Sequence, residues 1–298
     1  MFHLSAFVAA AILATVVLVG RLDAGEPADG VQKFLVGGAT IWAIADSMGD
    51  RDMGVFAGAD PEVVRRYVPS GRAPSAIMVF VIQREGGIVM IDAGLGAEAS
   101  RLPPGLTRAG IDPARIDLIL ITHMHADHIG GLLRDGGKAF PNAAVRIGRI
   151  ERDFWLNDQA MAADPSRRTN FELARQVASV YSGAVGVFEF GDRLADGIEA
   201  VDAAGHTPGH TAFLLESGGE KIFFVGDIVH AAALQFPRPG LNARYDMIPG
   251  QAGPARLRLL ERAAQDKLPI AGAHLPFPGI GDVAKGEGEG FVYRSWGE

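Results

Sequence analysis

Apolar residues in this chain gather into short runs separated by Gly- and Pro-marked breaks, with three longer stretches of helical spacing between them. Residues 76–83 (AIMVFVIQ) and 88–91 (IVMI) flank Glu85-Gly86-Gly87, a pattern that predicts a β-hairpin. Residues 117–121 (DLILI) form a run too short for a helix, and it ends directly on a histidine cluster. Residues 33–46 hold two further β-rich runs, 144–147 another, and 198–201, 211–215 and 221–225 a second set. Helical spacing covers residues 150–156, 167–181 and 254–267, the last with apolar Leu257, Leu259, Leu260 and Ala264. Residues 50–72 are rich in Gly and Arg, show no sustained period and predict no element; residues 285–290 form a Gly/Glu-rich stretch, and no internal repeat is visible. Strand groups separated by single helices predict a layered α/β protein in one domain.

The start of the chain differs in kind. Residues 4–20 are uncharged and mostly apolar, and they precede Arg21-Leu22-Asp23-Ala24-Gly25-Glu26-Pro27. This pattern reads as a signal peptide or N-terminal anchor over residues 1–24 and a linker over 25–32, followed by a single domain over 33–298. The expected location is periplasmic or secreted, with membrane contact only where the leading segment is retained.

Composition narrows the chemistry. Among 298 residues there is no Cys, which excludes disulfides, thiolate metal sites and a Cys nucleophile together. With 28 Lys+Arg against 35 Asp+Glu the net charge is −7, and no dense basic stripe is present, so a nucleic-acid partner is not expected. No Gly-x-Ser-x-Gly elbow offers a serine nucleophile.

Three of the eight histidines lie in Thr122-His123-Met124-His125-Ala126-Asp127-His128, directly after the apolar run 117–121 and ahead of a helical pattern over 126–133. Imidazoles and a carboxylate crowded at the end of a buried strand suit zinc or another borderline divalent ion. Three more strand ends carry a ligand type: Gly205-His206-Thr207-Pro208-Gly209-His210, Gly226-Asp227 and Ala273-His274. Taken singly, each would read as a cap or a satisfied polar group. With the first cluster they supply enough ligands for two metals.

These motifs, in this order, resemble the metallo-β-lactamase fold superfamily, whose HxHxDH signature is similar to residues 123–128. Ala139-Phe140-Pro141-Asn142, Asp153-Phe154-Trp155, residues 226–236 and residues 274–281 resemble more locally the branch of methyl parathion hydrolases and related lactonases. The resemblance implies a four-layer αββα sandwich with two divalent metal ions, expected to be zinc, at one edge between the sheets. It implies that His123, His125 and His210 hold the first metal, that Asp127, His128 and His274 hold the second, and that Asp227 bridges them. Asp92, ending Val89-Met90-Ile91, is expected to support a ligand from behind. His206 is expected to belong to the turn or to the surroundings of a ligand, and His230 receives no role.

Two ions sharing one water would lower its pKa toward ~7 and supply hydroxide for attack on an acyl carbon or phosphorus. Asp127 and Asp227 are then the catalytic carboxylates, Asp127 also as a proton carrier. Within the resemblance, a bridging Asp227 counts against β-lactam hydrolysis, the complete second site against oxygen chemistry, and the short tail after His274 against glyoxalase-like thioester members. The expected partner is a small-molecule ester, a lactone or aryl ester, with organophosphate triesters as a related activity; a homodimer is allowed. Trp155, Phe236, Leu275 and Phe277 are expected to line an apolar substrate pocket, with Phe154 and Phe171 read as packing residues. The alternatives are a non-catalytic exported metal- or partner-binding module on the same fold, or a β-lactamase-like enzyme.

Overall fold

The computed structural model describes residues 30–297 apart from 57, 97 and 99, so the segment read as signal or anchor lies outside the described residues. In chain order the strands begin with β1 (Val31–Val36), β2 (Ala39–Asp52), β3 (Arg72–Arg84), β4 (Gly87–Ile91) and β5 (Leu118–Ile121). A small hairpin of β6 (Leu133–Arg134) and β7 (Gly137–Lys138) precedes β8 (Ala144–Gly148) and β9 (Val185–Phe188). Between and after these lie helices α1 (Pro61–Tyr67), α2 (Leu102–Arg108), α3 (Ala126–Ile129), α4 (Arg149–Trp155), α5 (Asp158–Ala163) and α6 (Arg168–Val180). The second half supplies β10 (Arg193–Ala195), β11 (Ile198–Asp202), β12 (Thr211–Ser217), β13 (Glu220–Gly226), β14 (Ile270–Gly272), β15 (Ile280–Lys285) and β16 (Phe291–Ser295), with helices α7 (Ala232–Gln235) and α8 (Pro249–Asp266).

Two seven-stranded sheets result, ordered β1-β2-β3-β4-β5-β8-β9 and β10-β11-β12-β13-β14-β15-β16. Period-two alternation assigns each strand's two faces to different layers. On β3, Met78, Phe80 and Ile82 enter the core between the sheets, while Val79 and Val81 face the helices outside. On β12 and β13, Phe213, Leu215, Ile222 and Phe224 face inward, and Leu214, Phe223 and Val225 meet Leu259, Leu260 and Ala263 of α8. Leu106 of α2 and Phe171, Ala174 and Val177 of α6 cover the other sheet. Helices outside two face-packed sheets make the four-layer αββα sandwich that the motifs imply.

The predicted hairpin is β3–β4, paired antiparallel from Phe80↔Ile91 to Arg84↔Gly87. Some boundaries differ. Strand β1 begins at Val31, two residues inside the stretch read as linker, because Val31 already packs beneath α2. Within residues 50–72, read as having no element, β2 continues to Asp52 and α1 forms behind the Asp60 cap; α1 buries no residue, so it leaves no apolar period to detect. The helical pattern over 126–133 yields only the short α3, followed by a tight 3₁₀ turn over Gly130–Leu132. Helix α8 starts at Pro249, and Pro254 falls inside it rather than near its start. The Gly/Glu-rich stretch is the turn of the terminal hairpin β15–β16. Among the described residues no helix is long and apolar enough to cross a membrane.

Candidate metal centre

Strands β4 and β5 run parallel, as do β13 and β14, and β11 shares the direction of β13 through two antiparallel pairings. Their C-terminal ends therefore open on shared edges, the usual place for ligands in α/β sheets. Asp92 follows β4; His123 and His125 follow β5, with Asp127 and His128 on α3; His206 and His210 lie between β11 and β12; Asp227 follows β13; His274 follows β14. At Gly226 the backbone turns with φ +54°, and an added Cβ would come within 2.4 Å of His210 Nε2, so only glycine lets the chain deliver Asp227 here.

Ligand atoms of His123, His125 and His206 lie within 4.8 Å of one another, and so do those of Asp127, His128 and His274. Asp227 sits between the two sets. Its Oδ2 is 3.7 Å from His123 Nε2, 3.4 Å from His206 Nε2 and 3.0 Å from His274 Nε2, and its Oδ1 is 3.3 Å from His128 Nε2. The buried His128 Nε2 and Asp227 Oδ1 face each other without a hydrogen-bond partner among the described residues. Buried polar atoms are rarely left so, and imidazole nitrogens converging with carboxylate oxygens are a donor set that a pair of divalent cations satisfies.

His206 occupies the place that the sequence reading gave to His210. Both ring nitrogens of His210 are engaged: Nδ1 donates to the Ala203 carbonyl at 3.1 Å, and Nε2 accepts the Asp227 amide at 3.1 Å. No lone pair remains for a metal. Burial pushes His210 down to about 3, which keeps it neutral for this role. His206 instead donates from Nδ1 to Asp246 Oδ1 at 2.9 Å and turns Nε2 toward His125 Nδ1, also at 2.9 Å. The two histidines sit on the same tight turn, and their spacing alone does not say which ring points inward. His206→Ala is expected to cost metal stoichiometry and at least about a hundredfold in kcat/KM, whereas His210→Asn, which can keep one of the two hydrogen bonds, should retain both metals. Elemental analysis and steady-state rates on the two variants distinguish them.

Behind the ligands lies a buried polar frame. Asp92, at φ 60°, accepts Thr122 N, Thr122 Oγ1 and His128 Nδ1, each at 2.8 Å, and so orients the His128 ring. Asp246 serves His206 in the same way and is paired at 3.2 Å with the buried Arg256, whose other donors reach main-chain carbonyls of Ile228, Pro239 and Leu241. Glu151 on α4 accepts four donors: Met124 N at 2.9 Å, Trp155 Nε1 at 2.7 Å, Thr207 Oγ1 at 2.7 Å and Gly209 N at 2.9 Å. It ties the loop of His123 and His125 to the loop of His206. Glu151, Asp246 and Arg256 carry no signal in the sequence, since each is a single charged residue within or beside an ordinary helix.

Protonation in the metal-free chain follows from the same neighbours. Burial alone would lower His274, but the Asp227 and Asp127 carboxylates override it and raise its pKa to about 9; His128 is likewise raised by Asp227, Asp92 and Asp127 against its burial. Burial holds His123 and His125 well below the ordinary histidine value. A raised histidine stabilises the metal-free fold fully below ~6.5, the unfolded value, and that contribution fades as pH climbs through about 9. The proton on His274 Nε2 or His128 Nε2 must leave before the nitrogen can bind a cation. Metal affinity, measured by chelator competition, is therefore expected to rise with pH from ~6.5 toward 9, with proton release on metal uptake at neutral pH. A flat affinity over that range would contradict these assignments.

The ligand cluster opens into a cavity of 510 Å³ lined by Arg51, Ile77, Leu95, Arg167, Asn170, His230, Arg244 and Tyr245 as well as ligand residues. The four residues read as an apolar pocket do not line it. Trp155 is fully buried, packed on Phe171 and edge-on to His125, with its indole N–H held by Glu151. Phe236 stacks on Tyr293, Leu275 belongs to the core under α8, and Phe277 packs against the core between the sheets. Their apolar surface is spent on packing. Phe171 is core as read, and Phe154 packs beside it. Trp155→Ala is accordingly expected to destabilise the fold by about 3–5 kcal/mol and to depress activity on aryl and aliphatic substrates alike. A loss confined to aryl substrates in kinetic comparison would return Trp155 to the pocket. His230, given no role by the sequence, stacks against His274 at the cavity wall with its Nε2 3.3 Å from Asp227 Oδ2.

A two-sheet sandwich with two His/Asp sets joined by a carboxylate at one edge defines a class of metal-dependent hydrolases. The family model of the metallo-beta-lactamase superfamily matches residues 72–274, and the chain belongs to that superfamily. It is similar to the solved structure of the hydrolase AbOPH of the beta lactamase superfamily, with 30% identity, 89% of this chain and 96% of that one covered, and a TM-score of 0.82. It is equally similar in fold, at a TM-score of 0.82 and 25% identity over 89% of this chain and 97% of the other, to AidC, a dizinc quorum-quenching lactonase in complex with a product. An acyl-coenzyme A thioesterase of Homo sapiens is 28% identical over 66% of this chain and 70% of its own length. Its homologues are thus metal-dependent hydrolases that include a lactonase and a thioesterase. The second of these bears on the expectation that set thioesters aside from the length of the tail.

Proposed function

We propose that this protein is a dinuclear metal hydrolase of small esters, with lactones and aryl esters as the leading substrates and organophosphate triesters as a related activity. The observation that carries the reading is Asp227, whose two oxygens address both ligand sets at the floor of an open cavity. His123, His125 and His206 would hold one metal, Asp127, His128 and His274 the other, and zinc is the proposed occupant. When bound, such ions supply Lewis acidity and an ionised water at neutral pH.

The chain's own residues do the rest. Asp92 and Asp246 fix the imidazoles of His128 and His206 and Glu151 fixes the loops that carry His123, His125 and His206, so little reorganisation accompanies turnover. Asp127 is the more exposed of the two central carboxylates; burial would raise its pKa, but His128 and His274 override that and hold it strongly ionised. It can take a proton on Oδ1 or Oδ2 as the scissile bond is attacked and return it to the leaving group.

The test is a panel of a lactone, an aryl ester, a thioester, a phosphotriester and a β-lactam assayed with protein whose metal content is measured before and after chelation. Two metals per chain and ester or lactone turnover that disappears with chelation and returns with zinc are expected. Two metals without turnover of any substrate would favour the non-catalytic module. The proposed export of the chain is tested separately by fractionation with N-terminal sequencing of the mature protein.

A further inference from the structure

Three arginines, Arg51 and Arg167 half-buried and Arg244 exposed, line the cavity of a chain of net charge −7. Among the described residues the acidic ones lining it are Asp127 and Asp227, both directed at the metal sets. Arg167 is paired with Asp164, but Arg51 and Arg244 have no carboxylate partner among the described residues. The guanidinium carbons of Arg51 and Arg244 lie 5.7 and 5.3 Å from the ring centroid of Tyr245. Arg244 makes no side-chain hydrogen bond among the described residues. Arg51 reaches Ser75 Oγ at 3.3 Å and His274 Nδ1 at 3.0 Å. That second contact competes with the Ala76 carbonyl, also 3.0 Å from His274 Nδ1. When His274 uses Nε2 as a ligand, Nδ1 carries the proton and donates to Ala76, and the Arg51 donor loses its acceptor. Both guanidiniums thus keep unused planar donors beside one aromatic ring, and such donors suit carboxylate or phosphate oxygens.

We propose that the substrate is an ester whose non-reacting part carries a carboxylate or phosphate, held at the cavity mouth by Arg51 and Arg244 while the scissile group meets the metal centre. This rests on the hydrolase reading and narrows its substrate class to anionic esters. Arg51 and Arg244 are specificity residues, remote from bond breaking.

The experiment compares esters sharing one leaving group and one chain length: 4-nitrophenyl hexanoate, its adipate hemiester and its 5-phosphonopentanoate analogue, with uncatalysed hydrolysis subtracted. In the metal-loaded wild type, kcat/KM for the better of the two anionic esters should exceed that for the neutral ester by at least about tenfold, and the better one identifies the anion. Arg244→Gln should reduce that ratio by about tenfold, chiefly through KM, and Arg244→Glu should reduce it further. Arg51→Gln, with metal content checked, should act in the same direction. A wild-type ratio at or below one, or a ratio unchanged in both the Arg51 and Arg244 variants, overturns the proposal. If no ester is turned over, the hydrolase reading fails and the anion site is judged by calorimetric titration of the loaded protein with adipate and with inorganic phosphate. Binding of either at least tenfold tighter to wild type than to Arg244→Gln upholds it, and equal or absent binding of both overturns it.

Discussion

Asp227→Ala is expected to lower kcat/KM by at least about a thousandfold and to leave fewer than two metals per chain. Its oxygens reach members of both sets, lying 3.0–3.7 Å from nitrogens of His123, His128, His206 and His274. Asp227→Asn keeps the shape but offers one acceptor and one donor, so it should retain part of the metal and little of the rate. In the metal-free chain burial opposes ionisation of Asp227, but His274 and His128 hold its carboxyl well below the ordinary range. Removing it therefore also lowers the His274 pKa and reduces the protons released on metal uptake. Elemental analysis and steady-state kinetics check the prediction. Full activity with a lowered melting temperature would show Asp227 to be a structural strand-end carboxylate.

Glu151→Ala should be comparably damaging by a different route, because Glu151 touches no candidate ligand side chain directly. Its two oxygens accept two amides, a hydroxyl and an indole N–H, all buried, and deletion strands four donors at once. Each unsatisfied buried donor costs about 1–3 kcal/mol, so a loss of about 3 kcal/mol or more is expected, with a melting temperature lower by roughly 6–12 °C. Met124 lies between His123 and His125, and Thr207 and Gly209 lie between His206 and His210, so loosening Glu151 frees both loops of one ligand set. Metal content should fall at that set, leaving close to one metal per chain. Glu151→Gln retains the carbonyl oxygen but turns an NH₂ toward donors, and should fall between wild type and Ala. Unchanged melting temperature and two retained metals in Glu151→Ala would remove it from the frame.

Much of this protein is written locally. The run 117–121 ending on His123, and the strand ends carrying Asp227 and His274, are legible because strand period, Gly-marked turns and ligand chemistry all lie within a few neighbouring residues. The same holds for the two sheets, whose strands show the alternation that puts Phe80 and Phe224 inside and Val79 and Val225 outside. Tertiary structure decided everything that depends on where a side chain points after the chain folds. His206 and His210 share one turn, and only the Asp227 amide against His210 and the Asp246 carboxylate against His206 separate frame from ligand. Aromatic chemistry and the resemblance point Trp155 to the pocket, but α4 turns it inward onto Phe171 and Glu151. The lining of the cavity is assembled from Arg51 near the end of a long β2, Arg167 ahead of α6, and Arg244 in the loop before α8. No periodicity links such distant positions, so the sequence, in which six of the seven candidate ligands were legible, implied an apolar pocket where the fold gathers guanidiniums. Local patterns encode element type and turn, whereas the sign of charge around a cavity comes from contacts between segments that only packing brings together.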